Sequence, residues 1–265
     1  MEYLNAILLG IIEGITEFLP ISSTGHLIIA EQWLGQRSDM FNIVIQAGAI
    51  LAVTVIYWKR IWALATGLRD PQNFKYAAKL AVSFLITAVL GFVITKLGFT
   101  LPDSVIPIAW ALIIGGFWII FAERMAARAK PSSEITWTVA IVVGLAQIVA
   151  AVFPGTSRSA ATIFAALLFG TGSRVAATEF AFLVGIPTMY AASGYELLKS
   201  FRAGGLANED LTSLAIAFIA STITAFVAVK WLLGYIQVHR FTVFAVYRII
   251  FGAALFAMFY LGWVS

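Results

Sequence analysis

Glu13 and Glu17 lie four residues apart in an apolar stretch, a spacing that puts both carboxylates on one face of a helix. Carboxylates among lipid-soluble neighbours are functional candidates by default. With nearby hydroxyls they offer oxygen ligands to a hard divalent cation, Mg²⁺ or Ca²⁺. A proton relay through a neutral Glu, or a pair facing water at a helix end, are the other readings of the same spacing. Ser22, Ser23, Thr24 and His26 follow directly. One of the hydroxyls can cap a helix after Pro20, but four polar groups within five residues exceed what a cap needs. A histidine beside hydroxyls and carboxylates keeps the company of a nucleophile or general base.

A second polar island lies far along the chain, Pro154-Gly155-Thr156-Ser157-Arg158-Ser159, with Thr162 one turn further on. The backbone N–H groups at a helix start attract anions. An arginine fork adds bidentate contacts suited to phosphate. Ser157, Arg158, Ser159 and Thr162 therefore form a candidate phosphate cradle; an Arg snorkelling to the interface is the plainer alternative. Arg174 and Glu179 flank the start of a later apolar run and can pair with each other or mark the interface. Tyr247 and Arg248 fall inside the last apolar run, where a structural role suits them equally well.

These groups need a scaffold, and composition says which kind. Of 265 residues, 61% are hydrophobic and 11% charged, against roughly 25% charged in a soluble domain. The mean hydropathy is +0.95. A soluble fold of this sequence would have too little polar surface to meet water, so the solvent is lipid. The apolar runs are too long and continuous for spanning strands. Six of them qualify as transmembrane helices: 41–58, 79–97, 105–122, 176–198, 211–233 and 241–263. Two further apolar regions, 4–30 and 135–170, are broken by the two polar islands. Pro removes a backbone donor there and Gly and Ser loosen the helix, so each reads as two short helices joined by a polar turn.

The broken regions match. Gly10 and Glu13 align with Gly144 and Gln147, and Pro20 with Pro154, at a constant offset of 144 − 10 = 134 that carries Ser23 onto Ser157. Three full spans follow each. Basic residues set the orientation: Lys59, Arg60, Arg69, Lys75 and Lys79 flank one cytoplasmic loop, Arg124, Arg128 and Lys130 a second, and Lys230, His239 and Arg240 a third. Lys199 and Arg202 then lie outside, balanced in part by Glu209 and Asp210. The expected fold is an all-α integral membrane protein, a single domain over 1–265. It has six full transmembrane helices plus two re-entrant helix pairs, in inverted-topology repeats at about 1–122 and 135–263. Matching interruptions in such repeats point to a midplane site. The net charge of +4 belongs to the loops and does not describe a nucleic-acid surface. With no cysteine, disulfides and thiolate metal sites are excluded. No cleavable signal peptide is expected, because Glu2, Glu13 and Glu17 interrupt the first apolar stretch.

The two islands also carry a resemblance. Glu13-Gly-Ile-Thr-Glu17-Phe-Leu-Pro20-Ile-Ser22-Ser23-Thr24-Gly25-His26 resembles the first motif of the bacterial undecaprenyl-diphosphate phosphatases of the bacitracin-resistance type. Pro154-Gly155-Thr156-Ser157-Arg158-Ser159-Ala160-Ala161-Thr162 resembles their second, with Ala160 where many members have Gly. The likeness spans nearly the whole chain, including Arg174 to Leu183 and the Tyr247-Arg248 pair, although the stretch before Arg174 is one residue longer than is usual. It implies hydrolysis of undecaprenyl diphosphate to the monophosphate, which recycles the carrier lipid for peptidoglycan and other envelope polymers. It further implies an inner-membrane protein, a site open to the periplasm and a divalent cation on Glu13 and Glu17. Ser23, His26 or a metal-bound water would attack the terminal phosphorus. Arg158, Ser22, Thr24, Ser157, Ser159, Thr162 and Arg174 would hold the phosphates. The expected partners are the lipid substrate and membrane lipids, with a homodimer compatible. A polyprenyl-phosphate flippase or proton-coupled transporter would share the broken helices and buried Glu residues, but does not call for a Ser-Arg-Ser cradle.

Overall fold

Each of the six long apolar runs forms one continuous helix, and each broken region forms two. A computed structural model describes residues 1–98, 104–128, 132–202 and 209–264, and they are all-helical. In order these are α1 (Glu2–Thr16), α2 (Ser23–Leu34), α3 (Asp39–Ile56), α4 (Trp58–Thr66), α5 (Pro71–Lys96), α6 (Val105–Ala126), α7 (Trp137–Val152), α8 (Arg158–Ala166), α9 (Arg174–Arg202), α10 (Leu211–Val238) and α11 (Thr242–Tyr260), with a π-helical turn, Leu167–Thr171, after α8. Six of them, α3, α5, α6, α9, α10 and α11, are long and apolar enough to cross a membrane. Lys130, one of the basic loop residues, lies outside the described residues.

Local chemistry sets the boundaries. Ser38, Asp70, Ser104, Thr136 and Asp210 each accept a backbone N–H at the start of α3, α5, α6, α7 and α10, the role these short oxygen-bearing side chains suit. Pro71 follows Asp70 at the first position of α5, where its missing N–H costs nothing. The outward faces are apolar: Phe92 and Ile114 are each 62% exposed. That is a surface made for lipid. Trp58, Trp62 and Trp263 are exposed, as an interfacial aromatic belt requires.

The interruptions fall where Pro20 and Pro154 place them. α1 ends at Thr16 and α2 begins at Ser23; α7 ends at Val152 and α8 begins at Arg158. Each pair comes back to its own starting end. Asn5 Nδ2 donates to Leu34 O at 2.7 Å, joining the start of α1 to the end of α2. Ser132 N–H donates to Thr171 O at 3.2 Å, joining the approach to α7 to the turn after α8. The residues that open the second helix of each pair, Ser22 (φ 73°) and Ser157 (φ 67°), are the two non-glycine residues at positive φ among those described. Such a backbone costs on the order of 1–3 kcal/mol per residue. Ser22 and Ser157 lie 157 − 22 = 135 apart, one more than the offset of Pro20 and Pro154, because two residues stand between Pro154 and its helix cap and one between Pro20 and its own.

Glycine allows the closest helix approaches. A Cβ on Gly10 of α1 would lie 2.4 Å from Ala217 O of α10, and one on Gly144 of α7 would lie 2.8 Å from Ser83 O of α5. Gly10→Ala is expected to push α1 off α10 and destabilise the protein by about 1–3 kcal/mol, as overpacking does. Gly234→Ala on α10, where a Cβ meets open space, is the control and should be neutral or slightly stabilising. Thermal unfolding of the detergent-solubilised protein compares the two. Equal midpoints would remove the packing argument.

Candidate functional site

Glu17 closes α1 with its N–H on Glu13 O, and its carboxylate is the hub of the site. Ser23 Oγ, opening α2, donates to Glu17 Oε2 at 2.6 Å. Arg158 Nη2, opening α8, reaches Glu17 Oε1 at 3.4 Å. Gln46 Nε2, from the middle of α3, approaches the same oxygen at 3.5 Å. The carboxylate therefore joins both interruptions and one long helix. Ser159 Oγ adds a second tie, donating to Leu19 O at 3.0 Å.

Beside this hub lies a cavity of about 240 Å³, with Glu13, Ser23, Thr24 and Gln46 among its lining residues and Glu31 and Asn42 along the same walls. Glu31 stands eight residues beyond Ser23, about 12 Å along α2. Asn42 Nδ2 donates to Glu31 Oε1 at 3.0 Å. The cavity thus runs from the buried hub toward the α2–α3 connection. Glu13 is buried, and its Oε2 has no hydrogen-bond partner among the described residues. A hard cation would supply that partner, and the cavity wall offers carboxylate, hydroxyl and amide oxygens, the donors such a cation prefers. No group of three or more His, Cys, Asp or Glu able to hold a metal exists among the described residues. A cation on Glu13 and Glu17 would therefore complete its shell with water and substrate phosphate, as Mg²⁺ usually does.

The residues singled out from sequence divide into those that converge and those that do not. Glu13, Glu17, Ser23 and Arg158 converge, with Thr24 on the cavity wall. Ser157 is half-buried and shares a 3.0 Å contact with Ser159 Oγ. Ser22 is buried and gives its carbonyl to His26 Nδ1 at 2.7 Å. Ser159 and Thr162 are buried with their hydroxyls on backbone carbonyls, Thr162 on Arg158 O at 2.8 Å. They brace the cradle from behind.

His26 turns away from the cavity, toward α11. Its Nε2 meets Tyr247 Oη at 2.6 Å, and its ring stacks on Phe251 at 4.3 Å. Ser22 O can only accept, so Nδ1 carries the proton and neutral Nε2 accepts from the Tyr247 hydroxyl. Ser23 finds its proton acceptor in Glu17 instead of His26. Arg174 lies apart from the hub as well. Its Nε and Nη2 donate to Glu123 Oε1 and Oε2 at 2.8 and 2.6 Å. Glu179 in turn pairs with Arg60 at 3.1 Å, so Arg174 and Glu179 do not pair with each other. Gln46, Asn42 and Glu31 were missed in the sequence, although a lone amide inside an apolar span such as 41–58 is itself a signal.

Known proteins resemble this chain closely. The family model described as bacitracin resistance protein BacA matches residues 6–254. A relative from Rhizobium etli, named undecaprenyl-diphosphatase, is 73% identical over 258 residues, covering 97% of each chain. Another of that name, from Xanthomonas euvesicatoria, is 61% identical over 254 residues and 96% of each chain.

Proposed function

The chain belongs to the bacitracin resistance protein BacA family, and from that premise we propose that it hydrolyses undecaprenyl diphosphate to undecaprenyl phosphate and inorganic phosphate. The activity follows its relatives of the same name. The observation that carries the placement of the chemistry is the shared carboxylate: Glu17 holds the Ser23 hydroxyl on one oxygen and Arg158 on the other.

The diphosphate enters the cavity while its polyprenyl tail stays in lipid. Ser23 Oγ attacks the terminal phosphorus, and Glu17 takes the hydroxyl proton, the hydrogen bond between them being within proton-transfer range. The bond from that phosphorus to the bridging oxygen breaks and undecaprenyl phosphate leaves. Water then hydrolyses the phosphoserine, releasing inorganic phosphate and returning the proton to Ser23. Arg158 sits where it can trade Glu17 for the equatorial phosphate oxygens, and phosphoryl transfer needs little beyond such positioning and charge. Glu13 and Glu17 would hold a divalent cation, which would supply further charge neutralisation to the diphosphate.

Further parts of the reading follow. The α1–α2 and α7–α8 pairs are re-entrant, and the repeats at about 1–122 and 135–263 have opposite orientation. The hydrogen bonds that return each pair to its own end support this. The basic connections α3–α5, α6–α7 and α10–α11 face the cytoplasm, so in a bacterial inner membrane the cavity opens to the periplasm beside the α2–α3 connection. One chain supplies both interruptions, so a homodimer would carry two complete sites.

The purified protein is expected to release inorganic phosphate from a long-chain polyprenyl diphosphate, to stop when chelator is added, and to recover with Mg²⁺ or Ca²⁺. Rapid acid quench should trap phosphate on Ser23. Absence of phosphate release would end the functional reading. Unchanged release with chelator would remove the cation, and a label trapped on His26 would replace the nucleophile.

A further inference from the structure

Arg248 is fully buried in α11, the largest side chain of the interior. A cation held out of water is costly unless its hydrogen bonds are met. Here every bond goes to backbone carbonyl oxygen. Nε donates to Leu112 O at 3.3 Å, Nη2 to Ala111 O at 2.9 Å, Nη1 to Pro20 O at 3.3 Å and Nη2 also to Gly155 O at 3.1 Å. Pro20 and Gly155 are the point of interest. Each stands two residues before the positive-φ serine of its interruption, Ser22 and Ser157, and they are related by the same offset, 155 − 20 = 135. One guanidinium thus grips equivalent carbonyls of the two turns and fastens both to α6. Room for it comes from Gly115, where a Cβ would lie 2.2 Å from Arg248 Nη2.

We propose that Arg248 is a positioning residue of the active site: by bonding Pro20 O and Gly155 O it holds the two interruption turns in register, and so sets Ser23 and Glu17 against Arg158. It touches neither substrate nor reacting atoms. A planar fork suits the task because it can bond several carbonyls in fixed directions, which a lysine ammonium cannot reproduce. The inference rests on the phosphatase reading for its catalytic consequence only; the register itself is independent of any substrate.

The test uses Arg248→Gln, Arg248→Lys and Gly115→Ala in the full chain. The last keeps the arginine and displaces it. A misplacement of about 1 Å costs on the order of 10²-fold in rate. Arg248→Gln should lower kcat per folded molecule about 100-fold with KM within about threefold, and the other two should fall between it and the parent. A merely structural role would reduce yield and thermal midpoint while leaving kcat per folded molecule unchanged. The chain has no cysteine, so spin labels at Ile15→Cys and Phe153→Cys, 40% and 58% exposed beside the two turns, report the register without substrate. The parent should give one narrow distance distribution, and the variants a shifted or broadened one. Parental kcat in folded Arg248→Gln or Gly115→Ala overturns the proposal. So does a loss of kcat with unchanged distances, since Arg248 would then act on the substrate. Should the parent release no phosphate, the functional reading fails, while the distances still decide the register.

Discussion

Arg158→Ala is expected to lower turnover at saturating polyprenyl diphosphate by 10²–10⁴-fold, about 3–5 kcal/mol of barrier. Two effects combine. The substitution removes the guanidinium that can fork onto the transferring phosphoryl group. It also leaves Glu17, a buried carboxylate beside Glu13, without its cationic partner. A buried charge stripped of its partner is strongly disfavoured, so the carboxylate that orients Ser23 is no longer held in place. Arg158→Lys should recover only part of the rate, since an ammonium restores charge without the fork. The measurement is phosphate release under single-turnover and steady-state conditions, on protein shown to be folded by its thermal midpoint. Folded Arg158→Ala working at the parental rate would dissolve the assignment.

The largest expected effect on stability lies elsewhere. Glu123 is 3% exposed and accepts three hydrogen bonds: two from the Arg174 guanidinium, one on each oxygen, and one from the backbone N–H of Phe241 at 3.1 Å. Its carboxylate joins α6 to the start of α9 and the α10–α11 connection. Glu123→Ala should destabilise the protein by about 3–5 kcal/mol, the cost of breaking a buried pair, and leave kcat per folded molecule unchanged. Thermal or denaturant unfolding in detergent reads the first quantity and titrated activity the second. The companion Arg174→Ala separates two roles. If Arg174 is the clamp described here, the loss appears in stability. A raised KM in stable protein would instead restore the phosphate-binding role its motif suggested.

The spans were legible because nothing but lipid explains runs such as 105–122, and the interruptions because Pro20 and Pro154 stand among hydroxyls. Gly10 and Gly144 both lie at close helix contacts, which their match in sequence did not by itself predict. What sequence could not supply is which faces meet. Periodicity gives the face of a helix but not its neighbour, so Arg174 looked equally able to pair with Glu179 five residues on or to hold phosphate; packing gave it Glu123, 51 residues back. His26 shows the same limit. Its neighbours in sequence are Ser23 and Thr24, but one turn of helix carries its ring round to Tyr247, 221 residues away. That Ser22, and not Ser23, shares the positive φ of Ser157 was invisible, because residue type does not report backbone torsion. Ser159 and Thr162 stand beside Arg158 in the sequence, but a residue name does not say whether a hydroxyl points into a cavity or back onto a carbonyl.

Tyr247 and Arg248 both belong to α11, which leaves the ribosome after α1 to α10. During synthesis both polar turns, and every side chain assigned to the chemistry, are already in the membrane before the residue that ties Pro20 to Gly155 has been translated. A nascent chain short of residue 248 therefore holds all the reacting groups without their common brace. Emergence of α11 and assembly of the centre become one event, so a product that stops short of residue 248 would sit in the membrane as a helical bundle with its reacting groups out of register.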